Sequence, residues 1–365
     1  MKKIFTAILL IGLCGKAYSQ GCVAIRSTGG MCTLTGHPDS AGMVGGSWVF
    51  NANTRYFMSN KHYKGDVYQE ERIKAGSEVI NHQFSTDLTL IRVFNDRWSA
   101  MVDVPVISNA RSSLYEHNFP TNKPNAQRHS MHSFGLGDIR VAAYRWLFNP
   151  TTSPQANLQV GLGMKFATGD YNYKDYWRTV GPNGTDELRT VDQSIQLGDG
   201  GTGLTLELNG FLAVQKNFGL YANAFYLSNP RQNNGVRTYR ELIAPPRLAN
   251  EQISSVPDQF MARLGANVAF LGLVASAGAR IEGIPVRDVI GKSGDFRRPG
   301  YVVSVEPALT YQLGKVSLYT TVPIALYRKR TQSITDRAST TATNFVQGDA
   351  AFADYSVNLG ISFRL

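Results

Sequence analysis

The connections in this sequence constrain its fold more than any single motif does. Twelve segments alternate apolar and polar residues with a period of two, the signature of strands with one apolar face. They are 47–59, 77–94, 97–108, 134–148, 155–168, 198–216, 218–228, 257–270, 272–284, 299–313, 315–328 and 349–365. The links between them are in turn short and long. Five are tight, at Asn95-Asp96, 149–154, Asn217, Leu271 and Gly314. Six are long and polar, at 60–76, 109–133, 169–197, 229–256, 285–298 and 329–348. All tight turns therefore fall at one end and all long loops at the other. An up-and-down transmembrane barrel has this asymmetry, with an even strand count and both termini on the short-turn side.

Composition agrees. Only 18% of the residues are charged, against about 25% in ordinary soluble domains. Beyond the N-terminus no apolar run reaches the roughly 18 residues that a transmembrane helix needs. Alternation hides the hydrophobicity from a running average. A soluble sandwich or lipocalin-like fold would turn the apolar parity inward, and twelve strands' worth of Leu, Val and Phe would overfill its core. In lipid the same parity faces outward, and closure leaves no unpaired strand edge in hydrocarbon. The expectation is an all-β, up-and-down antiparallel transmembrane barrel of about twelve strands over 47–365.

The N-terminus sets the compartment. Met1-Lys2-Lys3 is a basic start, residues 4–14 form a short apolar core, and Ala17-Tyr18-Ser19 supplies small residues where a signal peptidase reads. Residues 1–19 are thus expected to be a signal peptide cut before Gln20, giving export to the outer membrane of a Gram-negative bacterium with both termini periplasmic. Loss of Lys2, Lys3 and Lys16 lowers the formal charge of +10 by three. The remaining basic groups are scattered through loops, as at Arg297-Arg298 and Arg328-Lys329-Arg330, where they suit lipopolysaccharide and lipid phosphate rather than nucleic acid. Cys22 and Cys32 then remain as a pair in an exported chain, which reads as one disulfide. They lie in a periplasmic segment, 20–46, that is either a loose tail or a fold-back plugging the bore; the disulfide favours the plug.

If the apolar parity faces lipid, the other faces the bore. The inward set includes Asp87, Asp103, Asp138, Arg140, Lys165, Glu207, Arg263, Arg280 and Glu306, with Gln83, Ser85, Thr89, Tyr144, Asn209, Asn267, Glu282, Asp354 and Arg364. Mixed signs argue against a one-sign selectivity ring and for ion pairs lacing a narrow interior. Twelve strands also lie between the smallest barrels, which side chains fill, and the open porins of 16–18 strands. On the long-loop side, Tyr171, Tyr173, Tyr176 and Trp177 cluster in one loop, with Tyr115 and Phe119 in another. Such residues suit capture of an apolar solute at a wet rim, or simply loop packing.

Three Gly-Asp motifs stand out: Gly135-Leu136-Gly137-Asp138, the run from Gly161 to Gly169-Asp170, and Leu197-Gly198-Asp199-Gly200-Gly201. In this order they resemble outer-membrane barrels of the meta-pathway phenol-degradation type, relatives of the long-chain fatty-acid transporters. The resemblance covers roughly 134–228, and the second motif has Ala167 where that family usually has Pro. It implies uptake of small hydrophobic molecules across the outer membrane; the expectation is passive passage of a small hydrophobic or aromatic compound, with no catalysis, metal or cofactor.

Two other classes compete. A barrel that transports nothing would need only its wall and its lipid contacts. An outer-membrane lipid hydrolase would need a histidine-activated serine. His82 is the only histidine in an expected strand and Ser228-Asn229 the only suggestive serine context, with no motif joining them. His117, His129 and His132 share a loop with no established metal spacing, so a solvated loop is expected there. The last strand, with Phe363 and a final Leu365, resembles the terminal signal read by the barrel-assembly machinery.

Overall fold

A computed structural model describes residues 19–20, 45–114, 116–117, 127–238 and 249–365. Twelve strands run in chain order. They are β1 (Trp48–Lys64), β2 (Ile80–Val93), β3 (Trp98–Ser113) and β4, broken into His129–Leu136 and Arg140–Trp146. Next come β5 (Ala156–Lys165), β6 (Gly203–Gln215), β7 (Phe218–Ser228), β8 (Gln259–Phe270) and β9 (Leu273–Ile284). Last are β10 (Gly300–Leu313), β11, broken into Val316–Thr321 and Ile324–Arg330, and β12 (Ala350–Arg364). Each pairs antiparallel with its sequence neighbours, and β1 closes on β12 from Val49↔Arg364 to Tyr63↔Ala350. The expected fold class and strand count are those observed.

The parity holds along most of the wall. On β10, Val305 and Leu309 point outward while Ser304, Glu306 and Thr310 are buried in the bore. Phe84, Val102, Leu162, Leu206, Leu264, Leu318 and Leu359 continue the apolar belt around the barrel. Trp48, Trp98, Phe148, Phe218 and Phe270 stand exposed close to the short-turn end, the place of an interfacial aromatic girdle. No helix among the described residues is long and apolar enough to cross a membrane; the crossing is made by strands.

The bore near the short-turn end is filled rather than open. Tyr144, Tyr221 and Tyr319 lie against Gly161, Gly265 and Gly360, their direct cross-strand partners. Only glycine leaves room for a ring there, since a Cβ at Gly265 would meet Tyr221 Cζ at 2.6 Å. Polar side chains complete the filling in a chain that crosses six strands. Asn209 donates to Gln159 (3.2 Å), Asn223 to Asn209 (3.0 Å), and Arg263 Nε to Asn223 (2.7 Å). Arg263 then reaches Glu306 (3.2 Å), which also meets Arg280 (3.5 Å), and Arg280 pairs with Glu282 (2.9 Å). Buried charges of this kind are tolerable only when paired and hydrogen-bonded, as these are.

Several strands depart from the expected uniform ladder. β4 starts at His129, inside the stretch expected to be loop, and breaks at residues 137–139. The cause lies opposite: Pro105 on β3 has no N–H to give, so the ladder skips from Val106↔Leu136 to Asp103↔Arg140. Three residues of β4 face two of β3, and the surplus turns inward. β1 also runs past its expected end, so His62 lies in a strand as His82 does, and His129 and His132 join them on β4. Ser19–Gln20 pairs antiparallel with Asp354 and Ala353 of β12. Cys22, Cys32, the rest of the 20–46 segment to residue 44, Tyr115 and Phe119 lie outside the described residues.

Candidate functional site

The break in β4 is where the three Gly-Asp motifs meet. Asp138 sits on its inward bulge, and its carboxylate gathers the other two motifs. Oδ1 accepts the Gly169 N–H (3.0 Å), and Oδ2 accepts the Asp199 N–H and the Lys165 ammonium (both 3.2 Å). Lys165 also pairs with Asp199, whose Oδ1 accepts the Gly201 N–H (2.8 Å). Thr168 stitches the strand break itself, donating to Gly137 O (3.0 Å) and accepting from Ile139 N–H (2.8 Å). A Cβ at Gly198 would stand 2.4 Å from Asp138 Oδ1, so the glycine is what allows so close an approach. Segments some 30 residues apart in sequence are thus joined by one acid and one base.

Beside this junction the bore widens into a cavity of about 220 Å³. Arg55, Asp103, Asp138, Arg140, Lys165 and Asp199 give its charged lining, and Phe57, Ile107, Phe225 and Leu227 an apolar side. The charges are engaged with one another. Arg140 pairs with Glu207, which also accepts from Tyr144 Oη (3.0 Å), and Thr89 donates to Asp103 (2.8 Å). Arg140 additionally covers the Phe225 ring at 5.5 Å. Of the residues expected in the bore, Asp103, Asp138, Arg140 and Lys165 line this cavity. Arg263, Arg280 and Glu306 belong instead to the packed network nearer the short turns, and Asp87 is buried in the bore without lining the cavity.

The sequence reading missed the part of the long loop after β5 that enters the barrel. Residues 192–199 cross the bore on the long-loop side of the cavity. Asn109 and Ser133 donate to Ile195 O, Gln83 donates to Ser194 O, and Arg111 Nη1 reaches Ser194 Oγ at 3.1 Å. On the other side Arg298 forks onto both Asp192 oxygens (2.9 and 2.8 Å), and Gln193 Nε2 donates to Ser255 O (3.0 Å). Asp192 also lies 3.5 Å from Arg111. Burial by itself would raise the Asp192 pKa, but the Arg111 and Arg298 guanidiniums outweigh it and hold the acid well below the usual carboxylate range. The available signal was Val191, Ile195 and Leu197, three apolar residues close together at the end of the loop; all three are buried.

The aromatic cluster is placed differently from a free capture surface. Trp177 is 4% exposed and packs with Met131, Val191 and Ile195, with Tyr173 against the same group. Tyr171 lies against Gly200, and only Tyr176 stands largely exposed. Trp177 and Tyr173 therefore seat the hairpin of Lys174–Trp177 and Glu187–Thr190 onto the crossing segment, and Tyr171 packs just beyond it. His117, expected in a solvated loop, is buried beside His129 and Trp177, its Nδ1 accepting the Arg178 N–H (2.9 Å). Burial, then the neighbouring His129 and Arg178, push its pKa down to about 4. His132 is exposed on β4, and no metal-ligating group of three converges among the described residues. His82 faces outward against Tyr56 (2.9 Å), whereas Ser228 ends β7 across the barrel, so that candidate pair does not meet.

These features define a class: a closed twelve-stranded antiparallel barrel with an apolar exterior, long loops at one end and a polar, largely filled bore. Among solved structures, the fold is similar to an outer membrane channel from Pseudomonas putida F1. The two share 10% identity at a TM-score of 0.56, covering 88% of this chain and 97% of that one. Weaker likenesses are mixed in kind. The Pseudomonas putida toluene transporter TodX (8% identity, 95% and 96% covered) and the β domain of the Bordetella autotransporter BrkA (12%, 88% and 100% covered) both score 0.43. No protein-family model matches the chain, and no curated protein matches its sequence.

Proposed function

We propose that this barrel is an outer-membrane channel for passive uptake of small hydrophobic or aromatic compounds. The observation that carries the reading is the cavity beside the β4 break, partly apolar and bounded below by a bore filled with side chains. Its volume of about 220 Å³ suits a single-ring molecule, since a cavity of about 150 Å³ accepts benzene. A filled bore disfavours a wide water column. The fold likeness to an outer membrane channel and the resemblance carried by the three Gly-Asp motifs point the same way.

In this reading residues 1–19 are removed on export, the long loops face the outside, and both termini are periplasmic. The exterior belt meets lipid, and the scattered loop cations meet lipopolysaccharide. The barrel-assembly machinery inserts the chain through its terminal strand. The 20–46 segment, with Cys22 and Cys32 as a disulfide, belongs at the periplasmic mouth.

The test is uptake into liposomes carrying the purified barrel, with small polar and small aromatic solutes in parallel. Aromatic passage with polar exclusion is expected. Passage of polar solutes alone would sink the reading, and passage of neither would favour a barrel that only structures the membrane.

A further inference from the structure

We propose that residues 192–199 form a gate over the cavity, latched by Asp192 between Arg111 and Arg298. The inference rests on the reading of the barrel as a transport channel. Gln193, Ser194, Gln196 and Leu197 of this segment line the cavity, so a solute entering along the barrel axis from the long-loop end passes it, and below the cavity the bore is packed. The segment is not a strand of the wall and takes no part in the barrel ladder. Side chains hold it: Gln83, Asn109 and Ser133 on one side of the bore, Arg298 on the other. Such bonds can be exchanged for water without opening a strand pair.

The latch is the charged part of this set. Asp192 is 5% exposed, both its oxygens are taken by Arg298, and Arg111 approaches from the opposite wall. Hydrogen bonds between charged partners are about twice as strong as neutral ones, so this one carboxylate ties two sides of the barrel through the segment. A hinge is present at the far end. Gly198 lies at the end of the segment, Gly200 and Gly201 follow it, and Gly200 has φ +79°, a conformation that other residues rarely adopt. On release, the segment would swing outward with the hairpin whose Trp177 packs on Ile195.

Labelling of a cysteine beneath the segment tests this without any transported solute. Thr205 lines the cavity and is 3% exposed. Thr205→Cys is placed in the full chain with Cys14, Cys22 and Cys32 replaced by serine, and its reaction with a small water-soluble maleimide is timed in detergent. Asp192→Asn, which keeps the shape but not the charge, is expected to speed labelling at least about tenfold, from the weakening of one charged hydrogen-bond set. Asp192→Glu should stay near the parent rate. If Asp192→Asn fails to give the heat-modifiable folded band, Arg298→Gln releases the latch from the other side and should accelerate labelling likewise. Equal rates in the parent and the folded latch variant would overturn the gate. Labelling reads the movement alone, so it separates failure of the gate from failure of the uptake reading, which the liposome assay judges.

Discussion

Tyr319 lies against the backbone of Gly360, its direct partner across β11 and β12, so closely that a Cβ there would come within 1.9 Å of the ring. Its hydroxyl donates to Asn51 on β1 (3.0 Å), so a single side chain spans three strands at the seam where the barrel closes. Gly360→Ala should therefore strain the closure. A loss of about 1–3 kcal/mol is expected, the usual cost of overpacking. Urea unfolding followed by gel mobility measures it. Pairing the change with Tyr319→Leu should restore part of the loss, and an unaltered midpoint in the single variant would refute the contact.

Glu306 holds two arginines at once, Arg263 and Arg280, in a part of the bore that excludes water. Removing the acid by Glu306→Ala takes away the buried carboxylate that Arg263 meets at 3.2 Å. The expected destabilisation is about 3–5 kcal/mol, the range for breaking a buried pair on one side only. Taking away both charges, Arg263→Met with Glu306→Leu, should cost clearly less than the single change, because Arg280 keeps Glu282. A double variant weaker than the single one would contradict this account.

Lys165 stands between the carboxylates of Asp138 and Asp199. Lys165→Met would leave two acids facing each other at the strand break. The Gly169 and Asp199 amides that bind Asp138 should then exchange with solvent at least about tenfold faster, reflecting loss of a charge-assisted bond. Adding Asp199→Asn should slow them again by removing the repulsion. Hydrogen exchange resolved to these amides decides the matter.

His117 predicts a pH effect confined to the loops. Its folded pKa of about 4 lies below the ordinary 6.5, so the folded loops favour the neutral ring. The stabilisation is complete above about 6.5 and declines as the pH falls from there toward 4, because the unfolded form takes the proton first. Protonation would also remove the acceptor that Nδ1 offers to the Arg178 N–H. Proteolysis of the hairpin Lys174–Trp177/Glu187–Thr190 should accelerate over that window, while the barrel band stays intact. His117→Asn should flatten the dependence.

How far the sequence reached can be followed along β10. Val303 and Val305 alternate with Ser304 and Glu306, and the structure turns them outward and inward as that period requires. The same rule directed Asp138, Arg140 and Lys165 to the bore, but not to one junction. Nothing in a period of two says that Gly169 and Asp199 will close on Asp138, since those contacts depend on where the strand breaks. Pro105 was the local cause of that break, legible only once its partner strand was known. Trp177 shows a choice the sequence left open. Its neighbours in sequence suited either an exposed rim or loop packing, and packing on Ile195 buries it.

By itself, then, the sequence determined the barrel. Side-chain period and loop length are local properties, and water, lipid and the need to pair every backbone group leave one architecture that satisfies them. Tertiary structure alone decided what fills the barrel: tyrosines on glycines, the Glu306 network, the cavity at the β4 break and the segment tied across it by Asp192. These depend on register and on side chains from opposite walls meeting at distances of about 3 Å, which no local pattern encodes.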